Sequence, residues 1–458
     1  MRWSVLRSGW IWGLVLMLGA GAAWGESPST EKKVAEKETA VTVTTNTIPK
    51  KDQKIRIRAI DLKKGLFEIQ NNYDAIDLDQ FEASWALNHA GEEIKRLELG
   101  RLKVAPHTKK EIRIPFHEQI KNLQKESLAL GESFVIIEFK QPEKSNRASA
   151  GQCVAWEEIS VNPEWRAVLG GFAVAALQQQ SKDTAVFNVV PSEDQITIHS
   201  ANVTAKISKK TGALVSWKVN GEEVLAKPLE PGFWKRMSQS RTNGSADNSS
   251  NVWRDAAAKR KVTSIQTKKE KQSISVTVDM RLPVGKTTCQ VTYQIFDTGL
   301  AVVSEALTPE GKDLPPIPRI GMDMAIAAKY DQIDYCGLSG KTYSDRKADG
   351  RIGTYKASAK TWNGSVHPPQ DAGNRSDTRW IALSDKDEES IGFIAIDNHL
   401  LNVSVWPFTL DDLEKAKKSS DLPSRDTLHI RIDYLNNDLQ AIPADREYKH
   451  SFALTKAS

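Results

Sequence analysis

The densest run of polar side chains that could do chemistry extends from Tyr335 to Trp380. It contains Tyr343-Ser344-Asp345-Arg346-Lys347, then Gly353-Thr354-Tyr355, then Pro369-Gln370-Asp371-Ala372-Gly373-Asn374-Arg375-Ser376-Asp377-Thr378-Arg379-Trp380. Asparagine and arginine offer directional donors to hydroxyl groups, and tryptophan offers a flat apolar face with a polar edge. The C–H face of a sugar ring packs on such a surface, so the set reads as carbohydrate binding. Trp362, His367, Asn374, Arg375 and Trp380 are the candidate contacts. Trp362, beside Asn363-Gly364, reads as a surface loop residue, whereas Trp217 alternates within a strand pattern and reads as core. A structural role is the alternative: Asp345, Arg346, Arg375, Asp377 and Arg379 would form a buried charge network that fixes a long loop.

Hydrolytic chemistry has less footing. Glycoside hydrolysis needs two carboxylates roughly 5–9 Å apart across one scissile bond. The 58 acidic residues guarantee neighbouring pairs. Asp411-Asp412 and Glu388-Glu389 read as solvated faces, no pair stands out, and no residue is assigned a catalytic role. The eight histidines are scattered and the common metal, phosphate and dinucleotide motifs are absent, so neither metal nor cofactor is expected. Cys153, Cys289 and Cys336 lack CxxC or metal-ligand spacing and read as small buried hydrophobes. One disulfide with a free thiol stays open as an alternative.

The elements that must carry these residues are strands. From about residue 54 to 165, Ile55-Arg56-Ile57-Arg58, Leu66-Phe67-Glu68-Ile69, Phe81 to Leu87 and Phe134 to Phe139 alternate at period two. Asn88-His89-Ala90-Gly91-Glu92-Glu93 supplies turn chemistry between two of them. Short strands at this spacing predict an immunoglobulin-like β-sandwich over 54–165. Residues 182–456 repeat the pattern over more than twice the length, with Ile196 to His199, Val215 to Val219, Ile274 to Val278 and His429 to Tyr434 alternating. Asn220-Gly221 is a hairpin signal. This block predicts one large antiparallel supersandwich, and the whole is all-β. Only Leu410 to Lys417 reads as helix, with Asp411 and Asp412 at its start. Long amphipathic helices alternating with strands, which a β/α barrel requires, are missing from the pattern.

With 458 residues, 40% of them apolar, the chain can bury sizeable cores. A net charge of +5, evenly spread, does not suit a nucleic-acid partner. At the start, Arg2 and Arg7 precede the apolar run Ile11 to Leu18, and Ala23-Trp24-Gly25 precedes Glu26. This predicts a signal peptide over 1–25 and an exported protein, periplasmic or extracellular, without a membrane span once it is removed. Residues 26–53, rich in Lys, Glu, Thr and Ser, read as a flexible linker.

The constellation resembles the small-chain domain of family-2 β-galactosidases. Phe408-Thr409-Leu410-Asp411-Asp412-Leu413, Leu422-Pro423-Ser424-Arg425-Asp426 and Pro231-Gly232-Phe233-Trp234-Lys235-Arg236 fit the same domain. Phe67-Glu68-Ile69-Gln70-Asn71-Asn72-Tyr73, Trp85-Ala86-Leu87 and Gly151-Gln152-Cys153-Val154-Ala155-Trp156-Glu157 resemble the immunoglobulin-like domain that follows the barrel in those enzymes. The resemblance implies a large galactose-mutarotase-like sandwich, and catalytic glutamates on a barrel that this sequence does not contain. It also implies two contributions to the sugar site. One is an acidic loop, which here reads Met237-Ser238-Gln239-Ser240-Arg241-Thr242-Asn243-Gly244 without acids. The other is a sugar-stacking tryptophan, where Leu435-Asn436-Asn437-Asp438-Leu439-Gln440-Ala441 has none.

The function expected is therefore that of an exported, non-catalytic homologue of the β-galactosidase C-terminal region. It would bind carbohydrate, a β-galactoside among the options, or dock to a separate catalytic glycosidase chain. The alternative is the small subunit of an active two-chain β-galactosidase. A third reading, by analogy with aldose mutarotases, pairs His367 with Asp345 or Asp371 as acid and base.

Overall fold

The computed structural model describes residues 47–125, 132–144, 149–162, 186–235, 248–363, 373–440 and 442–457. The segment read as signal peptide lies outside the described residues, as do all but the last few residues of the linker. Among the described residues, every pairing between strands is antiparallel.

The first sandwich pairs a three-stranded sheet (Ile55–Asp61, Leu66–Asn71, Lys109–Arg113) with a four-stranded one (Glu92–Gly100, Glu82–His89, Ser133–Lys140, Cys153–Ser160). Phe67, Ile69, Trp85, Ile137 and Phe139 fill the space between them. The turn joining Glu82–His89 to Glu92–Gly100 is only Ala90-Gly91, both at positive φ; Asn88 and His89 remain in the strand.

The second sandwich sets a ten-stranded sheet against a nine-stranded one. Ile198, Ala205, Trp217, Met322 and Ile430 from the first meet Val276, Val291, Tyr293, Phe393 and Phe452 from the second. Trp217 is wholly buried in this layer, as its alternation requires. Asn220 and Gly221, at φ 52° and 85°, make the expected two-residue hairpin. All three cysteines are free and buried.

Buried and half-buried contacts join the two sandwiches. Arg379 donates through Nε and Nη2 to Glu132 Oε2 at 2.9 and 2.6 Å. Arg351 pairs with Glu138, which also takes Arg96 at 2.6 Å. Glu158 accepts the Ile352 amide at 2.9 Å, and Gly91 O accepts the Thr354 amide at 3.0 Å. Burial disfavours the Glu138 anion, yet Arg351, Lys140 and Arg96 together hold its carboxyl down at about 2.

The helix expected at Leu410 is present as Leu410–Lys415. Thr409 caps it reciprocally with Asp412, which Arg425 holds bidentately at 2.5 and 2.6 Å. Thr409→Ala should lower stability by about 1 kcal/mol in urea titration. Among the described residues three further helices correct the single-helix expectation: Phe116–Lys125, Asn248–Ala258 and Ala359–Trp362. Tertiary anchoring holds the latter two, and Ser358 and Thr361 cap the last of them reciprocally. Trp253 packs edge-on against Phe233 and donates Nε1–H to Pro315 O at 2.9 Å, and Trp362 packs on Tyr335.

Candidate functional site

Four adjacent strands of the ten-stranded sheet, Lys227–Gly232, Arg319–Ala327, Thr427–Asn436 and Leu401–Trp406, build the site. Their alternation sends Ile320, Met322, Met324, Ile326, Leu428, Ile430, Ile432, Val403 and Val405 into the core. The opposite face then receives Arg319, Asp323, His429, Arg431, Asp433, Ser404 and Trp406. Register aligns them in rows. Glu230, Asp323, Arg431 and Ser404 lie opposite one another across the four strands, and Gly232, Gly321, Asp433 and Asn402 form the next row.

These glycines have a reason. A Cβ at Gly232 would collide with the Arg319 guanidinium and the Asp323 carboxylate, and one at Gly321 with Asp433. The bare backbone makes room for the charges. Arg319, 1% exposed, donates Nε–H to Trp234 O at 2.9 Å and pairs with Asp433 Oδ1 at 2.5 Å and with Asp323. Arg431 donates to Asp323 at 3.2 Å and Trp234 O at 3.4 Å, and its guanidinium lies 4.3 Å from the Trp406 ring centre. Trp406 stacks on Phe408 at 6.0 Å. Burial pushes the Asp433 carboxyl up to about 6 against the pull of the two guanidiniums.

His429 lies opposite Ala325 and Trp406. Burial first, then the Lys227 charge, pushes its imidazole down to about 4. The native state therefore binds fewer protons than the unfolded chain between about pH 4 and 6.5, and stability falls on acidification through that window. His429→Gln removes this loss. The difference in unfolding free energy between wild type and variant should change by about 2 kcal/mol, in the variant's favour, from pH 7 to pH 4.5.

The residues named from the sequence occupy other positions. Trp362 is 1% exposed and helical, which corrects its reading as a surface loop residue: its ring packs on Tyr335 and lies 4.6 Å from the Arg375 guanidinium. Asn374 is buried, donating to Thr342 O at 2.7 Å and accepting from Asn436 and Ser404. Arg375 donates to the backbone carbonyls of Trp362, Gly373 and Asn374. Trp380 belongs to the nine-stranded sheet and packs against Phe296, Leu300, Ile394 and Ala453. His367 and Asp371 lie outside the described residues, as does the Met237–Gly244 segment.

The single charge network envisaged as the structural alternative is instead several separate anchors. Asp345 accepts the amides of Asp438, Leu439 and Gln440 at 2.5–2.6 Å, while Lys347 pairs with Asp377 and Arg379 with Glu132. Through Asn374, Ser376, Asn402 and Asn436 the polar loop is stitched onto the charged face, reaching Asp433 at 3.0 Å from Asn436. Sequence reasoning missed Arg319, Asp323, His429, Arg431 and Asp433 as a unit. The signal was there in the ionisable residues at alternate positions from His429 to Asp433, with Arg319 and Asp323 four apart on one strand face. Among the described residues no cluster of histidine, cysteine, aspartate and glutamate could hold a metal, and no helix is long and apolar enough to cross a membrane.

Two family models match the chain, "Beta galactosidase small chain" over residues 199–440 and "Beta-galactosidase, domain 4" over 67–162. The first covers more than half of the chain. The chain belongs to the β-galactosidase small-chain family. It is 25% identical over 385 residues to a β-galactosidase of Priestia megaterium, matching 83% of this chain and 35% of that one. It is 27% identical over 259 residues to a β-galactosidase small subunit of Latilactobacillus sakei, matching 47% of this chain and 77% of that one. The chain thus spans about a third of the length of the Priestia relative. A putative aldose 1-epimerase from Escherichia coli K12 aligns over 60% of this chain and 99% of its own, at 10% identity and a TM-score of 0.35.

Proposed function

We propose that the chain is an exported, non-catalytic protein of the small-chain type that binds carbohydrate and docks to a separate glycosidase chain carrying the catalytic barrel. The observation that carries this reading is that the described strands pair only antiparallel, the one parallel contact being the isolated bridge from Thr47 to Cys153. A retaining glycosidase of this kind mounts its two glutamates on eight parallel strands. The segment after Tyr434 also lacks the stacking tryptophan, and its position is fixed by Asp345 instead. Export is supported by the Arg2, Arg7 and Ile11–Leu18 pattern.

The small-subunit reading is favoured by the match to 77% of the Latilactobacillus sakei small subunit. Size-exclusion chromatography with light scattering separates the outcomes. Mixed with a barrel-bearing β-galactosidase large chain, the purified chain should elute in a stoichiometric complex. Elution of two unchanged species, at tens of micromolar of each, contradicts docking. Activity of that complex exceeding the large chain alone would favour the two-chain enzyme.

A further inference from the structure

Above the charged rows lies a cavity of about 210 Å³, walled by Lys227, Glu230, Asp323, Trp406, His429 and Arg431. We propose that this cavity is a binding site for one neutral hexopyranose unit. The inference rests on the carbohydrate part of the proposed function and is independent of docking.

Size comes first. The space is below the roughly 300–1,000 Å³ typical of sites for drug-sized ligands, so it suits one small ring. Charge comes second. Lys227 and Arg431 stand against Glu230, Asp323 and Asp411, so both signs of charge line the same walls, two cations to three anions. An ionic ligand would meet a like charge on one side. A neutral polyol meets donors and acceptors together, since every hydroxyl can serve as either.

The third observation is His429. Its Nε2 is buried without a hydrogen-bond partner, although the ring borders the cavity. A buried polar atom left unpaired carries a desolvation cost, and a small turn of the ring toward the cavity would bring it to a ligand hydroxyl, whichever tautomer the ring adopts. With burial holding the imidazole neutral at pH 7, a neutral partner is the matching one.

The fourth is rigidity. Arg431 is fixed by Asp323, Trp234 O and the Trp406 ring, and Glu230 is fixed by Arg260 at 2.6 Å. The polar groups are thus set in place before a ligand arrives, which lowers the entropy cost of binding.

Isothermal titration of the full chain at pH 7 tests this. The probes are methyl β-D-galactopyranoside, methyl α-D-glucopyranoside and methyl α-D-mannopyranoside, with glucuronate and glucosamine as charged controls. At least one neutral glycoside should bind with a millimolar Kd and more tightly than either charged sugar. His429→Leu and Glu230→Gln should each weaken it about tenfold, or about 1.4 kcal/mol. Glu230 is the more exposed of the two, so its variant keeps the test valid if His429→Leu does not fold. Absence of binding by any neutral probe at about 50 mM, tighter binding of a charged sugar, or unchanged affinity in a folded variant overturns the proposal. None of these outcomes bears on complex formation in the light-scattering experiment, so the two readings fail separately.

Discussion

Arg319→Ala is expected to destabilise the second sandwich by about 3–5 kcal/mol, read as a drop in the urea midpoint with little change in slope. The guanidinium is nearly inaccessible and serves three acceptors at once: the Asp433 carboxylate, which has no exposed surface, the Asp323 carboxylate and the Trp234 carbonyl. Removing it leaves a buried anion facing only Arg431 and Asn436, and leaves space over Gly232 that the sheet cannot close. Protonation of Asp433 would relieve part of this cost, because its carboxyl already stands at about 6 with both guanidiniums present. Arg319→Lys should recover little. A lysine ammonium is a point charge and cannot fork to Asp433 and Asp323 while its stem reaches the Trp234 carbonyl. A loss below about 1 kcal/mol for the alanine variant would mean that the charged face is far wetter than its geometry indicates.

The junction between the sandwiches carries the second large effect. Arg379→Ala removes two charged hydrogen bonds from Glu132, whose side chain is only 3% exposed, and a third to Asp377 O at 2.7 Å. Breaking one partner of such a buried pair costs about 3–5 kcal/mol, whereas replacing both with apolar side chains of similar size is often close to neutral. The double variant Glu132→Leu with Arg379→Met should therefore unfold at higher urea than Arg379→Ala. That ordering separates a desolvation penalty from a simple loss of attraction. In Arg379→Ala, scanning calorimetry should also show two resolved transitions where the wild type shows overlapping ones, because the two hydrophobic cores are separate clusters. A single unshifted transition would show that Glu138, Glu158 and Gly91 hold the junction without this pair.

How much of this was legible in the sequence depends on the kind of information each residue carries. Period-two alternation located the strands at Ile55, Leu66, Phe134, Ile196, Ile274 and His429, because one buried face imposes that pattern on every strand. Asn220-Gly221 fixed its turn by local conformational preference. Thr409 and Asp412 fixed a helix start through capping chemistry within four residues. The helix at Ala359 starts on the same chemistry, with Ser358 and Thr361 capping each other, but it is only one turn long and Trp362 is drawn onto Tyr335. The helix at Asn248 is anchored by Trp253, whose partner Pro315 lies 62 residues away.

The site was half-legible for a related reason. Alternation shows which residues share a face but not what covers it. In the sequence His429, Arg431 and Asp433 show only as one face of an alternating strand, and only the fold brings Arg319, Trp234 and the Asn374–Ser376 loop over them. The same loop drew attention in the sequence by its density of polar groups. That density turns out to satisfy buried donors and acceptors, with Asn374 alone engaging Thr342, Ser404 and Asn436. Asn374 spends its hydrogen-bonding capacity internally, Arg375 does so through Nη1 and Nη2 while its Nε stays unpaired, and on the charged face His429 Nε2 is unpaired as well.

We propose that this chain carries no hydrolytic centre of its own and acts in concert with another chain. The direct measurement is release of nitrophenol from a chromogenic β-galactoside by the purified chain, set against a mock purification. The account predicts a rate no greater than the mock. Turnover that co-purifies with the chain and survives in the absence of any other protein would contradict it.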